Sequence, residues 1–134
     1  VFGRRRGTAA AALDPDHILE LAGLADKKDQ PAGALPILSL KKLELARALA
    51  CDPDLILLDE VAAGLTDPEI PKVLDTIEKI RAMGKTIIIV EHVMKVLMNA
   101  VDRLVVLDKG SLLCGGSTDE VICDTRVIEA YFGT

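Results

Sequence analysis

Two aliphatic runs constrain this chain more than any other feature. Leu55-Ile56-Leu57-Leu58 and Thr86-Ile87-Ile88-Ile89-Val90 have the apolar, β-branched character of strands buried on both faces. Between them Ile70, Val73, Leu74, Ile77 and Ile80 recur at the i, i+3, i+4, i+7 spacing of a helix with one apolar face, and Gly84 ends the pattern. A strand–helix–strand series predicts parallel strands joined by a right-handed crossover. Leu104-Val105-Val106-Leu107 reads as a further strand, which Asp108-Lys109-Gly110-Ser111 turns into an antiparallel partner at Leu112 to Cys114. The fold class is α/β, a parallel sheet with flanking helices and a terminal antiparallel hairpin.

The remaining segments fit around this frame. Asp14-Pro15-Asp16 starts a short helix carrying Ile18, Leu19, Leu21 and Ala22, and Gly23 ends it. Residues 26–36 read as a polar loop punctuated by Pro31, Gly33 and Pro36. A second helix is expected from Leu40 to about Cys51, with Leu43, Ala46, Leu49 and Ala50 facing inward and Lys41, Lys42, Glu44 and Arg47 outward. Thr66 and Glu69 form a capping box for the next helix, with Pro68 in its first turn. Shorter helices are expected from Val93 to Ala100, after a cap at Thr118, and from Arg126 to Tyr131. Gly115-Gly116-Ser117 reads as a turn, and Gly3 to Ala12 as a poorly ordered or severed segment.

Composition narrows the function. Half of the 134 residues are apolar but only 2% are aromatic, so the core must be built from Leu, Ile, Val and Ala. A net charge of -5 and a pI near 5.0 argue against nucleic acid as a partner, and Arg4-Arg5-Arg6 reads as a solvated chain end. No apolar run approaches a bilayer span and no signal peptide is visible, so no direct membrane insertion is expected. Cys51, Cys114 and Cys123 form neither a metal pattern nor a disulfide framework; they read as small core residues in a reducing cytosol. The start at Val1 rather than Met leads us to expect further chain upstream.

The chemistry gathers at the strand ends. Asp59-Glu60 and Glu91-His92 follow the two aliphatic runs directly and so project from one edge of the sheet, where open α/β sheets bind ligands. Carboxylates emerging from an apolar strand call for a counter-charge, which a metal ion supplies. In a functional reading Asp59 holds Mg2+ through a water ligand, Glu60 orients and deprotonates an attacking water, and His92 stabilises charge on a terminal phosphate. The competing reading makes Asp59-Glu60 a local cap and His92 a helix-start histidine.

The order of these segments resembles the ATP-binding domain of ABC transporters. Leu43 to Ala50, Pro53 and Leu55 to Glu60 look like the helix after the signature motif running into the Walker B strand. Ala63-Gly64-Leu65-Thr66 looks like the D-loop, and Thr86 to His92 like the strand with the switch histidine. Ala62 to Leu65, Glu91-His92 with Met94, and Ile128 to Gly133 are similar to the branched-chain amino acid uptake branch. The resemblance runs from about Ile18 to the carboxyl end. It implies a P-loop NTPase-type sheet, ATP and Mg2+ as cofactors, and MgATP held between two head-to-tail ATP-binding subunits. It implies transmembrane permease subunits as partners, and a cytoplasmic site at the inner face of the cell membrane through them. Residues 1–36 would be a remnant of the helical subdomain and loop, and residues 37–134 the carboxyl-terminal part of the ATP-binding core.

The departures matter as much. No G-x-x-x-x-G-K-[ST] occurs, so the loop that cradles phosphates is absent from this sequence. Leu38 stands at the place of the signature glycine, where its side chain would crowd a phosphate, and Ser39 at that of the glutamine. Ser39 remains a candidate nucleotide contact through a cap and free N–H groups, with a plain helix cap as the alternative. Val61 and Val93 also replace the residues usual after the glutamate and the histidine. The expected function is a fragment of an ATP-hydrolysing subunit powering uptake of branched-chain or other hydrophobic amino acids, inactive by itself. A degenerate, non-hydrolysing partner of the same fold, or an unrelated α/β interaction domain, is the alternative. The resemblance places the missing phosphate-loop strand between the strands at 86–90 and 104–107, so the isolated chain should be marginal or prone to aggregate.

Overall fold

The computed structural model describes residues 13–132. The segment from Gly3 to Ala12, with its arginine cluster, and Gly133 lie outside them. Among the described residues four strands and six α-helices follow one another as α1 (Pro15–Leu21), α2 (Ile37–Ala50), β1 (Leu55–Asp59), α3 (Ile70–Ala82), β2 (Thr86–Val90), α4 (Met94–Ala100), β3 (Leu104–Asp108), β4 (Ser111–Gly116), α5 (Thr118–Ile122) and α6 (Thr125–Phe132). Short 3-10 turns at Ala25–Lys27 and Ala32–Ala34 carry the chain from α1 to α2.

β1 and β2 pair in parallel, from Leu55 opposite Thr86 to Asp59 opposite Val90. β3 and β4 pair antiparallel as a separate sheet. Lys109 (φ 48°) and Gly110 (φ 80°) form their hairpin turn, both in the left-handed conformation that a tight two-residue hairpin needs. β2 and β3 do not pair with each other. A cleft of about 490 Å³ lies between them, walled by Ile87 to Val90 on one side and Arg103 to Leu107 on the other. This is the position at which the resemblance places the phosphate-loop strand.

The core forms on one side of β1 and β2. Ile56 is buried, Leu58, Ile87 and Ile89 are half-buried, and all pack on Leu45 and Leu49 of α2, Val73, Ile77 and Ile80 of α3, and Val96 of α4. Leu49, Val73 and Ile80 are fully enclosed, a burial worth about 1.5–3 kcal/mol for each such side chain. α1 adds Ile18 to the same cluster, and Ala22 and Leu24 follow it there. A smaller cluster of Leu97, Leu104, Val121 and Val127 supports the hairpin, so α4 serves both cores through adjacent residues.

The opposite face carries no layer among the described residues. Leu57 (71% exposed), Ile88 (51%) and Val90 (63%) face solvent, as do Val105, Leu107 and Leu112 on the hairpin. The expectation of strands buried on both faces is corrected here, because the helices present cover a single side.

Several local expectations are also corrected. α2 begins at Ile37 rather than Leu40, and its buried face includes Leu45 while Ala50 is exposed. Gly115 and Gly116 extend β4 instead of turning, paired with Val105 and Leu104. Ser117, not Thr118, caps α5: it accepts from the Glu120 N–H, and the Glu120 carboxylate takes the Ser117 N–H. Cys51 and Cys123 are exposed rather than in the core.

Candidate functional site at the carboxyl ends of the parallel strands

β1 and β2 run side by side in register, so the residues leaving their carboxyl ends emerge together. Asp59 is the last residue of β1 and is exposed. Glu60 follows with φ 48°, in the left-handed region that costs a residue with a Cβ. Three contacts hold it there. Its N–H donates to the Val90 carbonyl at 2.9 Å, and its carbonyl accepts from the Ala63 N–H at 3.1 Å and the Lys41 ammonium at 3.2 Å. Turned this way, the Glu60 carboxylate leaves the sheet edge and stays largely open to solvent.

His92 comes from the end of β2 and meets it. The His92 Nδ1 lies 3.7 Å from Oε1 of Glu60 and 3.7 Å from Oε2 of Glu91, close enough for attraction when the ring is protonated but beyond hydrogen-bond length. The ring is 68% exposed, so it is free to approach a ligand at the edge. Tyr131 of α6 donates its hydroxyl to the His92 carbonyl at 2.8 Å, tying this turn to the end of the described chain. Glu91 is enclosed, and its carboxylate accepts N–H groups from Ala62, His92 and Val93.

The loop after β1 is shaped by close packing. Gly64 has φ 79°, and a Cβ there would stand 2.7 Å from Cδ1 of Ile37 at the start of α2. Thr66 gives both its N–H and its hydroxyl to Glu69, which holds the Glu69 carboxyl below the usual carboxylate range. The expected capping box is corrected: the Thr66 hydroxyl donates to Glu69 instead of accepting its N–H, and the helix starts at Ile70, after Pro68 and with Pro71 in its first turn.

Ser39 behaves differently from its expectation. It sits inside the first turn of α2 and is buried, while Pro36 occupies the cap position without a side-chain bond. It is therefore neither the cap nor an open contact. Leu38 packs against the main core rather than standing into an open approach. Asp59, Glu60 and His92 are gathered at one edge.

No group of three or more His, Cys, Asp and Glu side chains is placed to hold a metal ion among the described residues. Asp59, an exposed carboxylate at the strand end, is compatible with part of a Mg2+ site, because that ion takes one or two carboxylates and fills its shell with water and phosphate oxygens. Sequence reasoning missed Lys41, assigned only to the solvent face, and Tyr131. Neither carries a local signal, since each acts across the fold on a backbone carbonyl.

No family model matches the chain. It is 33% identical over 130 residues to the high-affinity branched-chain amino acid transport ATP-binding protein BraF of Pseudomonas aeruginosa, covering 96% of this chain and 51% of that protein. The chain matches the carboxyl-terminal part of the ATP-binding domain of ABC transporters. The Nod factor export ATP-binding protein I of Burkholderia lata is 37% identical over 139 residues, covering 98% of this chain and 45% of that protein. The ADP conformation of MJ1267, an ATP-binding cassette of an ABC transporter, superposes with a TM-score of 0.82 at 30% identity, over 90% of this chain and 49% of that one. The chain thus spans about half the length of the ABC-transporter relatives it matches. No helix among the described residues is long and apolar enough to cross a membrane.

Proposed function

We propose that this chain supplies the carboxylate-and-histidine half of a MgATP hydrolysis site in an ABC-transporter subunit that energises uptake of branched-chain or other hydrophobic amino acids. The observation that carries the reading is the meeting of Glu60 and His92 at 3.7 Å, from the ends of two parallel strands, beside Asp59. Mg2+ would neutralise charge on the nucleotide phosphates. Asp59 would hold it through water, Glu60 would orient and deprotonate the attacking water, and His92 would contact the terminal phosphate and stabilise charge as it develops. The phosphate cradle would come from sequence upstream, and its strand would occupy the cleft between β2 and β3. The subunit would work paired with a second ATP-binding subunit on permease components at the cytoplasmic face of the membrane.

The solute reading is supported by the name of BraF and by the likeness of Ala62 to Leu65, Glu91-His92 with Met94, and Ile128 to Gly133 to the branched-chain amino acid uptake branch. Uptake of labelled leucine, isoleucine and valine should fall in cells whose natural gene carries Glu60→Gln. Unchanged uptake of all three, with Glu60→Gln protein present at normal levels, would overturn the solute assignment.

A non-hydrolysing role for the same fold has one observation in its favour. Leu38 packs into the core and Ser39 is buried, so the start of α2 presents neither the glycine nor a polar side chain to a nucleotide. Bound MgATP without turnover would select that reading.

A further inference from the structure

Glu91 is the most enclosed charged group at the strand ends: its side chain has no exposed surface. A buried carboxylate is tolerated only when its oxygens are satisfied. Here Oε1 accepts the Ala62 N–H at 2.8 Å, while Oε2 accepts the N–H groups of His92 at 2.9 Å and Val93 at 3.1 Å. Those donors belong to two segments far apart in sequence. Ala62 lies in the loop that carries Glu60; His92 and Val93 form the turn that presents the imidazole.

We propose that Glu91 is a positioning residue, a two-armed latch that fixes the Glu60 loop to the His92 turn. One oxygen serves each segment, so neither can move without breaking a bond to the shared carboxylate. Its filled and enclosed oxygens leave no room for a metal or a nucleotide, which separates its role from those of Asp59 and Glu60. The reach of the side chain matters as well as its charge. An aspartate could still accept locally from Val93, in the manner of an Asx turn, but falls a methylene short of Ala62. The consequence for turnover rests on the hydrolytic reading above; the latch itself does not.

The test is amide hydrogen exchange and ATP turnover on the protein expressed from its natural gene, as wild type and as Glu91→Asp. In the wild type the Ala62 amide should be protected although it lies in a loop, and free exchange there overturns the latch without any variant. In Glu91→Asp, exchange at Ala62 should rise by about tenfold or more and turnover fall by about tenfold to 10²-fold, with the MgATP Kd within about twofold, as expected when groups are misplaced by about 1 Å. Unchanged Ala62 exchange, or unchanged turnover, overturns the proposal. If the wild type hydrolyses no ATP, the hydrolytic reading falls, and Ala62 exchange still decides the latch.

Discussion

Oε1 of Glu60 stands 3.7 Å from Nδ1 of His92, although the two residues leave different strands and are separated by the whole of α3. The parallel register sets this distance, with Asp59 opposite Val90 so that the next residues of both strands pass the same edge. The pair should act as a unit. A double-mutant cycle of Glu60→Gln and His92→Ala on ATP turnover should be non-additive, the double variant losing little more than the worse single one. Full additivity would mean that the two side chains act independently.

The bare face of β1 and β2 predicts the behaviour of the 134-residue chain alone. Leu57, Ile88 and Val90 lie side by side in solvent, and the β2 and β3 edges border an apolar cleft. Such surfaces drive association. Light scattering should show concentration-dependent assembly, reduced by Leu57→Lys together with Leu107→Lys. A monodisperse monomer with a sharp, reversible unfolding transition would count against the incomplete-sheet account.

The cap of α5 gives a pH signature. The backbone and hydroxyl donors of Ser117 hold the Glu120 carboxyl below the ordinary value of 4.5. A lowered folded-state value means stability that is present above the unfolded pKa and lost as pH falls through the folded one. Exchange protection of the Glu120 and Val121 amides should therefore decline below about pH 4.5. Glu120→Gln should flatten that decline, and an unchanged profile would show that the box contributes nothing.

The sequence made the strands, α3 and the Asp59, Glu60 and His92 constellation legible because each rests on a local pattern: an aliphatic run, a helical stripe, or polar residues at the end of a strand. What it concealed depends on surroundings. The aliphatic runs look buried on both faces, yet only Ile56 and Leu58 of β1 meet helices. Ser39 looks like a cap, but Pro36 lets α2 begin earlier and turns that serine inward. Gly115 and Gly116 look like a turn, but pairing with Leu104 and Val105 holds them extended. Lys41 and Tyr131 give no local sign of acting, since their partners are the carbonyls of Glu60 and His92, distant in sequence.

On the proposed function, the Glu60 carboxylate, held out by a left-handed backbone, activates water for ATP hydrolysis. That role is tested most directly by MgATP turnover and MgATP binding of Glu60→Gln beside the wild type, both expressed from the natural gene. Turnover should fall roughly 10²- to 10⁴-fold in Glu60→Gln, the usual worth of a general base, while the MgATP Kd changes by less than about threefold. Turnover retained at the wild-type rate would contradict it.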